Sequence, residues 1–291
     1  MRIPNTRIEV DDFRPEGAEL YVLTHYHADH RQGLREGDRR PMLCSPVTAR
    51  LVTGLQKVDP CGITEIEPGQ TLELPGQVRV SAFDANHCPG ALMFLFEVDG
   101  RRHLHTGDFR YCARHDQHPE LFRDIDTLFA DCTYLGDEDD TVLPTQEEAI
   151  EQVLDLIRRH PGHQVFLGIH TVGKNRIIEA IHRELGLPVY LTEHYHKVYE
   201  LLGLTHCVTR DRRATRIRAY AMAYFAKYFH EVYPDSARDS IVILPTGYTE
   251  DRGEGENFHF VPYSEHNSTA ELNAFLEKVG ARELVDINVW R

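Results

Sequence analysis

The chain has 291 residues, 41% of them hydrophobic and 27% charged, which suits a globular protein with room for two domains. Its formal net charge of −14 argues against a protein that coats nucleic acid through Lys and Arg alone, but leaves open an enzyme whose site is made locally positive by metal ions. The six cysteines (Cys44, Cys61, Cys88, Cys112, Cys132 and Cys207) are scattered without a C-x-x-C, so we expect reduced thiols and no disulfide scaffold. The first residues lack the apolar core of a secretory signal, and no apolar run approaches the ~20 residues of a transmembrane helix; we expect a soluble chain with no membrane role.

In chain order, residues 19–25 ("ELYVLTH") read as a strand that ends on a histidine-rich stretch. Residues 77–87 alternate and then reach His87, and residues 91–109 read as two strands around the turn Asp99-Gly100. A further strand covers 126–134. The pattern then changes. Thr145 and Glu148 form a capping box for a helix that closes at Arg158, Arg159 and His160. A strand at 164–169, a turn "HTVGK" and a helix from about Asn175 to Leu185 make a strand–helix unit, and 189–204 continue in kind. "AYAMAYFAKYF" (219–229) reads as a packed helix. Strands at 240–246 and 258–266, a helix near 269–279 and a last strand from 283 finish the chain. The acidic 136–140 and the loop 249–257 are the boundary candidates. We therefore expect an α/β protein, with one domain from residues 1–140 and 241–291 and a second, inserted domain from 141–240.

The chemistry gathers at strand ends, where sites are usually built. In "LTHYHADH" (23–30), His25 and His27 lie two apart on an extended segment and point the same way, so they can grip one ion together. Asp29 and His30 fall where the chain turns, and can face a second ion. Imidazole with carboxylate suits zinc, with manganese or iron as alternatives. Completing two sites takes distant groups. His87 and Asp108 follow apolar strands, and the remaining histidine is best sought at His266 in "VPYSEHNS". This pattern predicts one ion on His25, His27, His87 and Asp108, and another on Asp29, His30, Asp108 and His266. A shared carboxylate suits ions ~3.5–4 Å apart.

"LTHYHADH", "DANHCPGALMFLFE", "HTGDFRY" and "PYSEH" together resemble the metallo-β-lactamase fold nucleases of the β-CASP branch, and most specifically their DNA cross-link repair group. The resemblance runs through nearly the whole chain. It implies an αββα sandwich with an inserted β-CASP α/β domain. It also implies a metal-dependent 5′-to-3′ exonuclease for 5′-phosphorylated DNA ends in cross-link repair, end processing or telomere processing. The implied cofactor is Zn2+, one or two ions, with Mn2+, Fe or Mg2+ as alternatives at the second position. Residue by residue, the resemblance implies metal ligands at His25, His27, Asp29, His30, His87, Asp108 and His266, with Asp131 orienting a ligand or water. The motif that is histidine in RNA-acting members falls in "LVDINV" (284–289), where no histidine stands, which favours DNA.

Phosphate contacts are implied at Asn267 and Ser268. Thr171 and Lys174, at a turn entering a helix, are candidates for the same task. The pattern departs here: His170, Thr171, Asn175 and Asn267 stand where related chains differ. "TRDRRATRIR" (209–218), with Arg210, Arg212 and Arg213, can track a DNA backbone or serve as a solvated edge. His194, His196, His206 and Cys207 do not match the spacing of a zinc knot found in the family and read as structural. The family implies a nuclear monomer acting on single-stranded DNA or 5′-phosphate ends, although no basic nuclear signal stands out. The alternatives are an RNA-processing nuclease of the same branch and a DNA-end-binding scaffold without catalysis.

Overall fold

The structure, a computed structural model, describes residues 1–135, 143–222, 239–247 and 257–290. The chain forms two compact units, Met1–Val142 with Glu265–Arg291, and Leu143–Ser264.

The first unit holds two sheets. The smaller is all parallel, with neighbours in the order β1 (Ile8–Val10), β2 (Leu20–Val22), β3 (Met42–Cys44) and β4 (Ile63–Glu65). Helix α1 (Pro46–Leu55) follows β3; the Ser45 hydroxyl accepts the Thr48 N–H and Pro46 opens the first turn, where its missing N–H costs nothing. The larger sheet is built from β5 (Thr71–Leu74), β6 (Val78–Asp84), β7 (Leu92–Val98), β8 (Arg101–His105) and β9 (Thr127–Ala130). β5 to β8 pair antiparallel; β9 pairs parallel with β8. The β7–β8 hairpin turns on Asp99 (φ 49°) and Gly100 (φ 75°), as a two-residue turn of matching twist requires.

Val78, Val80 and Ala82 alternate along β6, and Leu92, Phe94, Phe96 and Val98 along β7. They bury one face against Val10, Val22 and Leu43 of the smaller sheet. Each of the Val, Leu and Phe side chains contributes about 1.5–3 kcal/mol relative to exposure.

The second unit is one parallel sheet. Helix α2 (Gln146–Arg159) has both halves of its Thr145/Glu148 capping box. β10 (Gln164–Ile169) leads through a turn to α3 (Asn175–Leu185), then β11 (Val189–Tyr190), α4 (Glu193–Leu202), β12 (Val208–Thr209), β13 (Ile217–Ala221), β14 (Ser240–Thr246) and β15 (Phe258–Pro262). The strand order is β12-β11-β13-β10-β14-β15. β10 is buried from Val165 to Ile169, as a strand inside a parallel sheet must be.

Two expectations change here. Residues 241–264 were assigned to the first domain, but β14 and β15 pair beside β10 and lie in the second unit. An apolar strand carries no mark of which sheet it joins; pairing partners decide that. Residues 219–221 belong to β13 instead of opening a helix, and 223–229 lie outside the described residues. The boundary candidates 136–140 and 249–256 lie outside them too.

Chain and sheet return to the first unit with α5 (Thr269–Val279) and β16 (Glu283–Asp286), which pairs parallel with β9. Ser268 and Glu271 cap α5 reciprocally, and Gly280 (φ 56°) ends it.

Candidate metal centre

Loops leaving β2, β6, β8 and β9 meet the segment entering α5. The Leu92 N–H donates to the Thr24 carbonyl (3.0 Å), the Arg110 N–H to the Ala85 carbonyl (3.1 Å) and the Asp131 N–H to Thr106 Oγ1 (3.1 Å). The segment 265–271 is clasped just as tightly. Asn267 accepts the Tyr111 N–H at 2.7 Å and donates to the Phe109 carbonyl at 2.9 Å. Arg110, 3% exposed, forks onto Glu271 at 3.0 and 3.1 Å. Phe275 of α5 packs on Phe109, Tyr111 and Phe122.

These clasps gather the ligand-type side chains. Asp108, buried, has Oδ2 3.6 Å from His25 Nε2 and 3.7 Å from His87 Nε2, and Oδ1 3.2 Å from His30 Nε2. His87 Nε2 lies 3.1 Å from His27 Nδ1. Asp29, the exposed member, has Oδ2 3.5 Å from His30 Nε2. The His87 and His266 rings are 4.9 Å apart. Among the described residues, three groups could each hold a cation: His25, His27 and His87 with Cys88; His25, His30 and Asp108; and His87, Asp108 and His266. Asp108 is shared between two of them, but the sets interlock more than a clean division would have it, since His25 joins His30 and His87 joins His266.

The outward nitrogens explain the inward ones. His25 Nδ1 donates to Thr24 Oγ1 (3.0 Å), whose own proton goes to Asp11 Oδ2 (2.6 Å). His30 Nδ1 donates to Asp11 Oδ2 (2.7 Å), His87 Nδ1 to the Glu265 carbonyl (2.8 Å) and His266 Nδ1 to Asp131 Oδ2 (2.6 Å). With Nδ1 protonated and anchored, each ring turns the Nε2 lone pair inward, the tautomer that metal-binding histidines use. Asp131 is itself held. Its Oδ1 accepts from Thr133 N–H (3.1 Å), Thr133 Oγ1 (2.5 Å) and Asn288 Nδ2 (3.1 Å).

Charge points the same way. Burial pulls the His25 and His87 imidazoles well below their ordinary range, with His30 and His27 adding to it at His25. Burial works against charge at His30 too, but Asp108 and Asp11 push it up to about 10; Asp131 and Asp108 likewise push His266 up to about 9. Burial would raise Asp108, yet His30, His266 and His25 hold it well below the usual carboxylate range. The carboxylates therefore demand positive charge at this point, which a divalent cation supplies while displacing protons. His25 Nε2 is buried without a hydrogen-bond partner among the described residues, as a ligand atom without its ion is. The donor set of imidazoles plus carboxylate fits zinc or a similar first-row ion.

Other candidates are placed differently. Asn267 spends both ends of its amide on backbone, and Ser268 Oγ accepts the Glu271 N–H at the start of α5. Both are buried, and these bonds hold the loop in place. Lys174, in the second unit, is 4% exposed, left-handed (φ 58°) and 3.3 Å from His170 Nε2, and the Gly173 N–H goes to Asn175 Oδ1. It is buried instead of offering an exposed charge. Thr171 is exposed beside it. Within the arginine run, Arg216 caps α2 through the carbonyls of Ile157, His160 and His163, and Arg218 lies over Phe166. Arg210, Arg212 and Arg213 are exposed; Arg210 is 3.8 Å from Glu193 and Arg212 lies over Tyr190.

Sequence reasoning missed Asp11 and Asn288. Asp11 stands directly after an apolar strand in "VDDF", a signal no stronger than many others. Asn288 lay in a window read only for its lack of histidine.

A cluster of histidines around a shared aspartate, set where two packed sheets end, is an arrangement able to hold metal ions. The chain belongs to the beta-lactamase superfamily: the family model described as "Beta-lactamase superfamily domain" matches residues 5–170, more than half of it. A second model, "DNA repair metallo-beta-lactamase", matches residues 203–286. Among curated relatives, the chain is 37% identical to the 5′ exonuclease Apollo of Gallus gallus, over 94% of this chain and 60% of that one. It is 35% identical to the 5′ exonuclease Apollo of Mus musculus, over 98% of this chain and 54% of that one. The chain thus spans little more than half the length of these relatives. A crystal structure of a protein of unknown function from Enterococcus faecalis V583 shares the fold, with TM-score 0.62, 12% identity, 92% of this chain and 75% of that chain covered. Among the described residues, no helix is long and apolar enough to cross a membrane.

Proposed function

We propose that the chain is a metal-dependent 5′-to-3′ DNA exonuclease that hydrolyses phosphodiesters from 5′-phosphorylated ends in DNA repair. The observation that carries the reading is Asp108, whose carboxylate lies within 3.2 to 3.7 Å of three imidazole Nε2 atoms, each turned inward by an anchored Nδ1. The match to the DNA-repair model and the relatives named 5′ exonuclease support the substrate class. In this reading His25, His27, His87 and Asp108 hold one ion, Zn2+, and Asp29, His30, Asp108 and His266 hold a second, Zn2+ or Mn2+, Fe or Mg2+. Bound cations acidify water near neutral pH and neutralise charge on phosphoryl oxygens. The protein's own part is to hold the ligand tautomers, to keep His266 aimed through Asp131, and to leave Asp29 at the open rim where substrate arrives. Arg210, Arg212 and Arg213 are exposed cations that could contact a DNA backbone. We infer a monomer that works in the nucleus on single-stranded or 5′-phosphate DNA ends, in cross-link repair or in end and telomere processing.

Metal analysis followed by digestion of end-labelled oligonucleotides tests this. Stepwise loss from the 5′ end of phosphorylated single-stranded DNA is expected, abolished in the Asp29→Ala, Asp108→Ala double variant with circular dichroism unchanged. Faster degradation of RNA assigns the chain to RNA processing instead. Tight DNA binding without cleavage, with metal bound, makes it a scaffold.

A further inference from the structure

We propose that Cys112 and His115 form a reactive thiol–imidazole pair, and that Cys112 is the residue of this chain modified by peroxides. The pair stands on the loop that leaves Asp108, outside each of the groups of described side chains that could hold a cation. Cys112 Sγ lies 3.6 Å from His115 Nδ1. The ring is fixed by its other nitrogen: Nε2 donates to the Asp84 carbonyl at 2.9 Å, and a carbonyl has no proton to return. In the neutral ring Nδ1 is therefore the acceptor; it takes the Cys112 N–H at 3.0 Å and faces the thiol proton. Once that proton has moved, Nδ1–H sits against the thiolate and the Cys112 carbonyl, 3.1 Å away. Nucleophile, base and a group orienting the base are thus in line, the arrangement that activates thiols.

The surrounding charges favour the ionised form. Arg114, whose guanidinium also donates to Asn86 Oδ1 (2.8 Å), favours the thiolate through hydrogen bonds from its backbone and side chain. Asp84 lies 4.0 Å from Arg114, and Asp116 is held by Lys278 (2.6 Å) and Tyr111 (2.5 Å), whose ring stacks on His115 at 5.9 Å. Burial would raise the Cys112 thiol, but His115, with Arg114, brings it down to about 7.

The other five cysteines supply the contrast. Cys44, Cys88, Cys132 and Cys207 are buried, and burial pushes each thiol up, Cys132 to about 12 and Cys207 to about 11. Cys61 is exposed, but Asp59 beside it also pushes its thiol up. Exposure alone selects Cys61; the imidazole selects the half-buried Cys112.

The reaction with hydrogen peroxide balances within the pair. The thiolate attacks one peroxide oxygen, an S–O bond forms and the O–O bond breaks. The departing hydroxide takes the proton from the His115 imidazolium and leaves as water. The sulfur is oxidised to a sulfenic acid and the peroxide is reduced.

Limited labelling of the whole 291-residue protein with iodoacetamide across a pH series, read by peptide mass spectrometry, tests the pair. A thiol half ionised at neutral pH, against about 3% for an ordinary one, keeps at least a ~3-fold rate advantage after its lower intrinsic nucleophilicity is counted. Cys112 is therefore expected to label faster than Cys61 at neutral pH by that margin, with a rate that inflects near 7. In His115→Gln the Cys112 rate should fall to that of Cys61 or below. Equal or slower labelling of Cys112 in the unaltered protein overturns the pair, as does an unchanged rate in His115→Gln. Brief peroxide exposure followed by dimedone should tag Cys112 first; first capture at Cys61, or none at Cys112, refutes the oxidation site.

Discussion

Replacing Asp131 with Asn keeps the side chain's shape and reverses one hydrogen bond. Asp131 Oδ1 accepts from Thr133 N–H, Thr133 Oγ1 and Asn288 Nδ2, so the amide oxygen of an Asn must settle on that side. Its NH2 then faces His266 Nδ1, where a 2.6 Å charge-assisted bond ran the other way. To avoid two opposed donors, His266 moves its proton to Nε2, the nitrogen offered to the metal. A charge-assisted bond is worth about 1.5–3 kcal/mol. Outer partners of ligand histidines alter metal affinity by roughly 10–100-fold, about 1.4–2.7 kcal/mol, so the two routes to a magnitude agree. The assay is a titration of metal-depleted protein with zinc against a chelating indicator, with circular dichroism as the check on folding. Asp131→Asn should bind ion weaker by that factor at the position nearest His266, with the proposed exonuclease activity falling in parallel and partly restored by excess metal. Unchanged affinity and stoichiometry alongside lost activity would refute the tautomer argument, and would mean that Asp131 acts on substrate.

Chelation should lower the melting temperature and zinc should restore it, since an ion at about a hundred times its Kd stabilises the folded state by ~2.7 kcal/mol; a melting curve indifferent to zinc would count against the centre. Gly107→Ala places a Cβ 2.8 Å from Thr24 Cβ and Oγ1 at a left-handed residue (φ 54°), so it should cost about 1–3 kcal/mol. Because Thr24 carries both Asp11 and His25, metal affinity should fall along with stability; a stability loss alone would break that link. Arg110→Met leaves Glu271 without the guanidinium 3.0 Å away, and because Glu271 is partly exposed the loss should be about 1–3 kcal/mol, below that of a fully buried pair. The midpoint of urea denaturation reads it, and no shift would mean that the clasp contributes nothing.

Local pattern made much of this chain legible. The Thr145/Glu148 box, the Asp99-Gly100 turn and the helix from Asn175 to Leu185 are properties of short segments, and the structure has each where the pattern put it. The spacing of "LTHYHADH" marked a candidate ligand cluster, because side-chain direction along a few residues follows from backbone geometry, but His25 also groups with His30 and so crosses the division that spacing suggested. What pattern could not carry was anything that depends on which distant segment packs where. β14 and β15 look like any buried strands, and only pairing sent them to the second sheet. Asn267 and Ser268 stand beside His266 as implied phosphate contacts, and only packing shows that they also bond Phe109, Tyr111 and the α5 cap. Asp11 and Asn288 looked ordinary, yet one orients His30 and the other steadies Asp131, which orients His266. The sequence by itself determined the kinds of candidate ligand and the elements that carry them. Only the tertiary structure decided which nitrogen each ligand presents, since a histidine's tautomer is set by the partner at its far side, and that partner arrives from elsewhere in the chain.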